Sequence, residues 1–233
     1  MILTGTIESS RANRNHRVLP NGAGFWRSEL ITVEDGPQVF LVEQEPHTVV
    51  LPHFHLQDEF QVIVGGDGTL GRQPVRPITV HYASRHTGYG PIAAGKDGVA
   101  YMTLRAKLDL GAHWLPESRH RMENLPKRSL HGKSFDVSND AALRSRAESS
   151  LDALIAPQAD GVAAWLVRTP PGEPVDAPAQ KGVRFYVVVA GEMRLTGERL
   201  VRGAATFVSA EREFAATAGD AGLEVLILQF AGL

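Results

Sequence analysis

The chain has 233 residues, 43% hydrophobic and 21% charged, with a formal net charge of −2 and no cysteine. These proportions belong to a globular protein of one or two domains and exclude a disordered chain, disulfides and thiolate ligands. The near-neutral charge leaves no electrostatic footprint for nucleic acid or an anionic membrane. Residues 1–7 lack a basic stretch followed by an apolar core, so no signal peptide is expected and the protein is read as cytoplasmic. The longest apolar runs, at 185–191 and 225–228, are strand-length and far short of a membrane span.

Short β segments separated by Gly, Pro and Asp run along the chain. In the first half, strands are expected at Glu29–Val33, Val39–Gln44, Glu59–Val64, Ile78–Ala83 and Ala100–Arg105. Residues 53–66, His-Phe-His-Leu-Gln-Asp-Glu-Phe-Gln-Val-Ile-Val-Gly-Gly, carry the most chemistry. Read as one strand, they place His53, His55, Glu59 and Gln61 on a single face, because side chains alternate with period two. Two imidazoles and a carboxylate facing one way are three ligands of a metal site. The other face carries Phe54, Leu56, Phe60, Val62 and Val64, so the strand is expected to be buried on both sides.

The spacing His-x-His-x3-Glu-x6-Gly, here His53, His55, Glu59 and Gly66, resembles the first motif of the cupin superfamily. Cupins are small jelly-roll barrels, and the resemblance implies a divalent metal held inside the barrel by these positions. The family motif opens with Gly six residues before the first His, where this chain has His47. A fourth ligand would come from the second cupin motif, which this chain matches poorly. His86 is preferred for it over His81; five residues apart, the two face opposite sides of a continuous strand. In the glycine-rich loop 86–98, Tyr89 is a candidate hydroxyl donor at a pocket mouth, and Gln61 a candidate hydrogen-bond partner for a bound ligand.

Residues 111–160 break the β pattern and are read as a connector with one short helix over Ala141–Ile155, where the apolar spacing is helical. Its histidines, His113, His120 and His131, are expected to be solvated. Strands resume at Ala163–Arg168, Arg184–Ala190, Ala205–Ser209 and Glu224–Phe230.

The second half repeats the first. Shifted by 125, residues 40–70 lie on 165–195 without a gap, so that Phe60-Gln-Val-Ile-Val meets Phe185-Tyr-Val-Val-Val and Gly66 meets Gly191. The block from Asp97 to Leu104 answers Ala221 to Leu228. Self-similarity at this length implies two copies of one fold. His53, His55 and Glu59 become Pro178, Gln180 and Arg184, of which proline cannot ligate and arginine repels a cation.

The expected architecture is therefore all-β: two tandem cupin jelly-roll barrels, a bicupin. Residues 1–110 would form a metal-binding barrel, 111–160 the partly helical connector and 161–233 a degenerate barrel. One divalent metal per chain is expected, with His53, His55, Glu59 and His86 as ligands. Fe(II) suits two histidines and a carboxylate, though Mn, Ni or Zn could use the same atoms. The implied function is a small-molecule dioxygenase. The alternatives are a redox-neutral isomerase or lyase, or a non-catalytic ligand-binding cupin. The outward apolar residues of both copies have to pack on something outside their own barrel, so either the two barrels pack together within one chain or chains pair, and a homodimer is expected.

Overall fold

In the computed structural model, which describes residues 1–178 and 182–232, every expected strand forms. Several run longer than their apolar cores suggest, notably Glu59–Leu70, Ile92–Arg105, Arg184–Leu195 and Thr217–Gln229. Among the described residues, no helix is long and apolar enough to cross a membrane.

The chain divides into two compact units, Glu8–Phe135 and Met1–Ile7 together with the residues from Asp136 onward. The first is built on an open sheet. Its strands run in the order Ser129–His131, Val80–Ala83, Glu59–Leu70, Ile92–Arg105, Gln38–Gln44, Gly24–Thr32 and Asn15–Val18. A separate ribbon pairs His53–Phe54 with His113–Trp114. One face of the sheet contributes Phe40, Val42, Ile63, Tyr89 and Tyr101 to a common apolar core. In the second unit the order is Ile2–Gly5, Ala205–Val208, Arg184–Leu195, Thr217–Gln229, Ala163–Thr169 and Ser150–Ile155. Its core gathers Trp165, Val167, Tyr186, Val188, Val225 and Ile227.

The repeat seen in the sequence is also a repeat of strand register. In the first unit Phe60, Gln61, Val62 and Ile63 pair with Leu104, Thr103, Met102 and Tyr101. In the second, Phe185, Tyr186, Val187 and Val188 pair with Leu228, Ile227, Leu226 and Val225. Gly66 and Gly191 have φ of 65° and 72°. A Cβ at either would collide with the carbonyl oxygen of Gly98 or Gly222 respectively. Only glycine satisfies both the left-handed backbone and the close approach.

Two expectations need correction. Residues 111–160 are not a free-standing connector. The part up to Phe135 packs into the first unit and the part from Asp136 into the second. The helix expected over Ala141–Ile155 is confined to Asp140–Arg144, capped by Asn139, whose side chain accepts from the Ala142 amide at 2.9 Å. Ser150–Ile155 is instead a strand on Ala163–Thr169, because the edge of that strand offers the backbone ladder partners that helical spacing alone cannot supply. Of the apolar residues expected to need cover, Phe54, Phe60, Val62, Phe185 and Val187 are fully buried, while Leu56 is 39% exposed.

Candidate metal centre

The stretch 53–66 is not one continuous strand: His53–Phe54 and Glu59–Leu70 are strands, and residues 55–58 bend between them. Asp58 holds the bend by accepting from the Arg85 amide at 2.7 Å and the Tyr82 hydroxyl at 3.0 Å. The predicted face nevertheless survives. His53, His55 and Glu59 are 4%, 8% and 1% exposed. The two imidazole rings stand 5.2 Å apart, nearly perpendicular, and His55 Nε2 lies 4.0 Å from Glu59 Oε2.

Both rings are fixed from behind. His53 Nδ1–H donates to the Leu51 carbonyl at 2.7 Å. His55 Nδ1–H donates to Asp109 Oδ1 at 3.0 Å. In the neutral ring each bond leaves the lone pair on Nε2, the arrangement by which an outer acceptor orients a ligating histidine. Burial lowers the pKa of His53 to about 4, so that ring is neutral near pH 7. Asp109 is itself anchored by the Leu56 amide at 2.8 Å and the Gly111 amide at 2.9 Å. Burial would raise its pKa, but the hydrogen bond from His55, followed by the charge of Arg105, holds it well below the usual carboxylate range.

Glu59 is gripped by Arg105, whose Nε and Nη2 both donate to Oε2, at 2.9 and 2.7 Å. Burial pushes the Glu59 pKa up, but His55 and Arg105 outweigh it and the result is about 2, so the carboxylate is ionised. Its other oxygen, Oε1, is buried without a hydrogen-bond partner. The Tyr89 hydroxyl is close enough to help hold the carboxylate ionised, though not in hydrogen-bonding geometry.

A directional chain of hydrogen bonds crosses the site. Ser129 Oγ–H donates to His81 Nε2 at 2.9 Å, and His81 Nδ1–H donates to Gln61 Oε1 at 3.1 Å. Gln61 Nε2 donates to Tyr89 Oη at 3.3 Å, and Tyr89 O–H donates to His53 Nε2 at 3.0 Å. Because His53 uses its own proton on Leu51, each link has one consistent donor. Burial, then the Glu59 charge, keeps the Tyr89 phenol protonated by raising its pKa well above the ordinary value. The two candidate polar residues, Gln61 and Tyr89, thus lie at the heart of the cluster.

His86 does not join them. Tyr89 pairs directly opposite His53, but residues 84–88 turn rather than run as a strand, and the turn carries the His86 ring onto Phe54. His86 stacks on the Phe54 ring at 5.8 Å, its Nδ1 accepts from the Glu123 amide at 3.2 Å, and its φ is 57°. The preference for His86 as fourth ligand is therefore not met. His81 lies on the correct side, but both its ring nitrogens are engaged with Gln61 and Ser129. Of the histidines expected to be solvated, His113 is half-buried and stacks on Phe54 at 5.0 Å, while His131 is exposed, its ring 4.7 Å from that of His81. His120 stays exposed.

The donor chemistry fits a divalent cation: two imidazole Nε2 lone pairs and a carboxylate with one orphaned oxygen lie close together in a buried site, with His55 Nε2 4.0 Å from Glu59 Oε2. No group of three His, Asp or Glu side chains among the described residues is already gathered around a common point. The Tyr89 hydroxyl on His53 Nε2 and the Arg105 grip on Glu59 account for that spacing. To admit an ion, the hydroxyl has to leave His53.

Arg105 and Asp109 are the functional residues that sequence reasoning missed. Arg105 had a signal: it extends the register one step beyond Leu104–Phe60, which sets it opposite Glu59. Asp109 had none, since a loop brings it to His55. In the second unit Pro178 and Arg184 stand in place of His53 and Glu59, while Gln180 lies outside the described residues. That unit has a surface cleft of about 450 Å³ bordered by Ile2, Thr4, Leu195, Glu198 and Arg212, without a histidine or any counterpart of the ligand set.

No family model matches the chain, and no curated protein matches it in sequence. Solved structures do match in shape. A provisionally named dioxygenase from Nostoc punctiforme superposes with a TM-score of 0.71 at 12% identity, over 100% of this chain and 84% of its own. Pirin YhhW from Escherichia coli, in complex with nickel(II), gives 0.60 at 10% identity over 100% of both chains. The Mn(II) protein oxalate decarboxylase from Bacillus subtilis gives 0.62 at 13% identity, over 99% of this chain and 78% of its own. At such identities the likeness concerns the fold alone, which is all-β.

Proposed function

We propose that this chain is a metal-dependent bicupin enzyme, with one divalent ion in its first module and a small molecule as substrate. His53 Nε2, His55 Nε2 and Glu59 Oε1 would hold the ion. The observation that carries the reading is the pair of pinned imidazoles, with both Nδ1 protons committed to Leu51 and Asp109 and the orphaned Glu59 oxygen beside them. Two histidines and one carboxylate with open positions suit Fe(II), and the proposed activity is that of a dioxygenase. When bound, iron would supply redox chemistry toward O₂, whereas Zn, Mn or Ni would supply Lewis acidity.

The chain's own residues have separable tasks. Tyr89, once its proton is no longer given to His53, becomes a neutral O–H donor for an oxygen of the substrate. Gln61 holds that hydroxyl in place from the other side. His81 fixes which end of the Gln61 amide faces Tyr89, because its Nδ1–H can bond only the carbonyl oxygen. Trp114, 5.3 Å from the His53 ring, helps exclude water.

A non-catalytic ligand-binding role is the second reading, favoured by closure: His53, His55, Glu59, Gln61, His81 and Tyr89 are each at most 8% exposed. Oxygen uptake decides between them. Apo-protein reloaded with Fe(II) is expected to consume O₂ with a small aromatic, diketone or thiol substrate, and the Zn(II) form is not. Equal turnover under anaerobiosis with Zn(II) would establish a redox-neutral isomerase or lyase instead. Tight binding without turnover would establish the ligand-binding role.

A further inference from the structure

Arg105 has no task in the reading above, yet it is 2% exposed. A buried guanidinium is costly unless its N–H groups are answered. Here Nη1 donates to Gln38 Oε1 at 2.9 Å, and Nε and Nη2 converge on Glu59 Oε2. The geometry is uneven. An arginine fork commonly takes both oxygens of a carboxylate, but this one spends two donors on a single oxygen and leaves Oε1 unpartnered. On its far side, Nη1 approaches Asp109 Oδ1 at 3.9 Å, the same oxygen that orients His55.

Two consequences follow. With Oε2 occupied, Glu59 can offer an ion only Oε1, so three protein atoms ligate and an octahedral ion keeps half its positions. A carboxylate free to chelate through both oxygens would close one more. The second consequence is charge. With both imidazoles neutral, as ligation through Nε2 requires, Glu59 and Asp109 against Arg105 leave one net negative charge in the buried site, and a divalent ion would turn that into one net positive charge. Arg27 nearby is already paired with Glu29 at 2.6 Å and adds nothing to the balance. In a poorly solvated site an uncompensated charge is unfavourable, so a single anionic charge on the incoming molecule is the best complement.

We propose that Arg105 is a positioning residue that keeps Glu59 a one-oxygen donor and tunes the loaded site for monoanions presenting two adjacent oxygens. An α-hydroxy or α-keto carboxylate and a singly ionised enediol both have this form. The inference rests on the metal reading above.

The test uses Mn(II) as the ion, with lactate as the monoanion and lactamide as its neutral analogue. Water-proton relaxation counts the waters on bound Mn(II) in the wild type, Arg105→Met and Arg105→Lys. Each ligand's affinity for the loaded protein is then measured and referred to its affinity for free Mn(II). The wild type is expected to favour lactate by about tenfold beyond that reference, the scale of one modestly screened charge. Arg105→Met should lose the preference and one bound water, as Glu59 Oε2 joins the ion. Arg105→Lys, which retains the charge, should keep the preference. Bound Mn(II) with no lactate preference in the wild type overturns the role of Arg105 and leaves the metal site standing. That result is decisive even if Arg105→Met does not fold. Failure of the wild type to bind Mn(II) overturns the metal reading and this inference with it.

Discussion

At Gly66 and at Gly191 the chain passes a neighbouring carbonyl with the same backbone twist and the same lack of room, and the strands around both glycines pair in the same register. A few residues earlier the two units part company. Glu59 is answered by Arg184, Gln61 by Tyr186 and, across the sheet, His81 by Thr206. The contacts change in kind while the pairings persist: Gln61 pairs with His81 and Tyr186 with Thr206. Where Gln61 donates to the Tyr89 hydroxyl, Tyr186 stacks on Phe214 at 4.1 Å. The second unit's core on this face gathers Trp165, Val225 and Ile227. It too buries a carboxylate, Glu224, against Arg146 and Arg168, so a buried Glu–Arg pair by itself is compatible with folding alone. What the first unit adds is two buried imidazoles beside its carboxylate, and a bound ion would account for them.

The sharpest way to break the comparison is to remove the ligands. His53→Ala or His55→Ala should abolish metal binding while the protein stays folded, as elemental analysis and circular dichroism would show. Two equivalents of metal, with the second surviving His53→Ala, would mean that the second unit is not degenerate.

The shared frame has its own test. Gly66→Ala and Gly191→Ala should each destabilise by about 3 kcal/mol, from the left-handed backbone plus the clash. Urea unfolding should return similar penalties for both. A large effect at one glycine and none at the other would show that the registers match without matching constraints.

The polar interior should also respond to acid. Burial, with His131 adding to it, lowers the His81 pKa from 6.5 to about 3. Between those values the unfolded chain binds a proton that the folded chain refuses, so stability falls as pH drops through that window. The loss should be on the order of 5 kcal/mol in the apo-protein, and His81→Gln should flatten that part of the stability–pH curve. An unchanged curve would show that His81 is protonated in the fold.

Asp109→Asn keeps the shape but weakens the acceptor behind His55, and should lower metal affinity about 10–100-fold. The smallest effect should be at His86, where Ala ought to change metal affinity less than about twofold. The ring lies on the Phe54 face, and its partner Glu123 is largely exposed. A larger loss at His86 than at Asp109 would reverse the assignment of the two residues.

The sequence by itself determined the strands, the repeat, the paired glycines and the face that carries His53, His55 and Glu59. All of these follow from local periodicity or from one segment compared with another. Period-two alternation brought Gln61 onto that face, and Tyr89 stood out as a hydroxyl in a glycine-rich loop. Tertiary structure decided the rest. Whether residue 86 or residue 89 meets the ligands depends on where the loop turns and on which of its residues pairs opposite His53. Ser150–Ile155 became a strand because a neighbouring edge was there to bond it. Arg105 and Asp109 reach Glu59 and His55 across gaps of 46 and 54 residues, by strand pairing and by a loop. Such contacts leave no local spacing to read, because what selects them is the cost of leaving a buried charge unanswered.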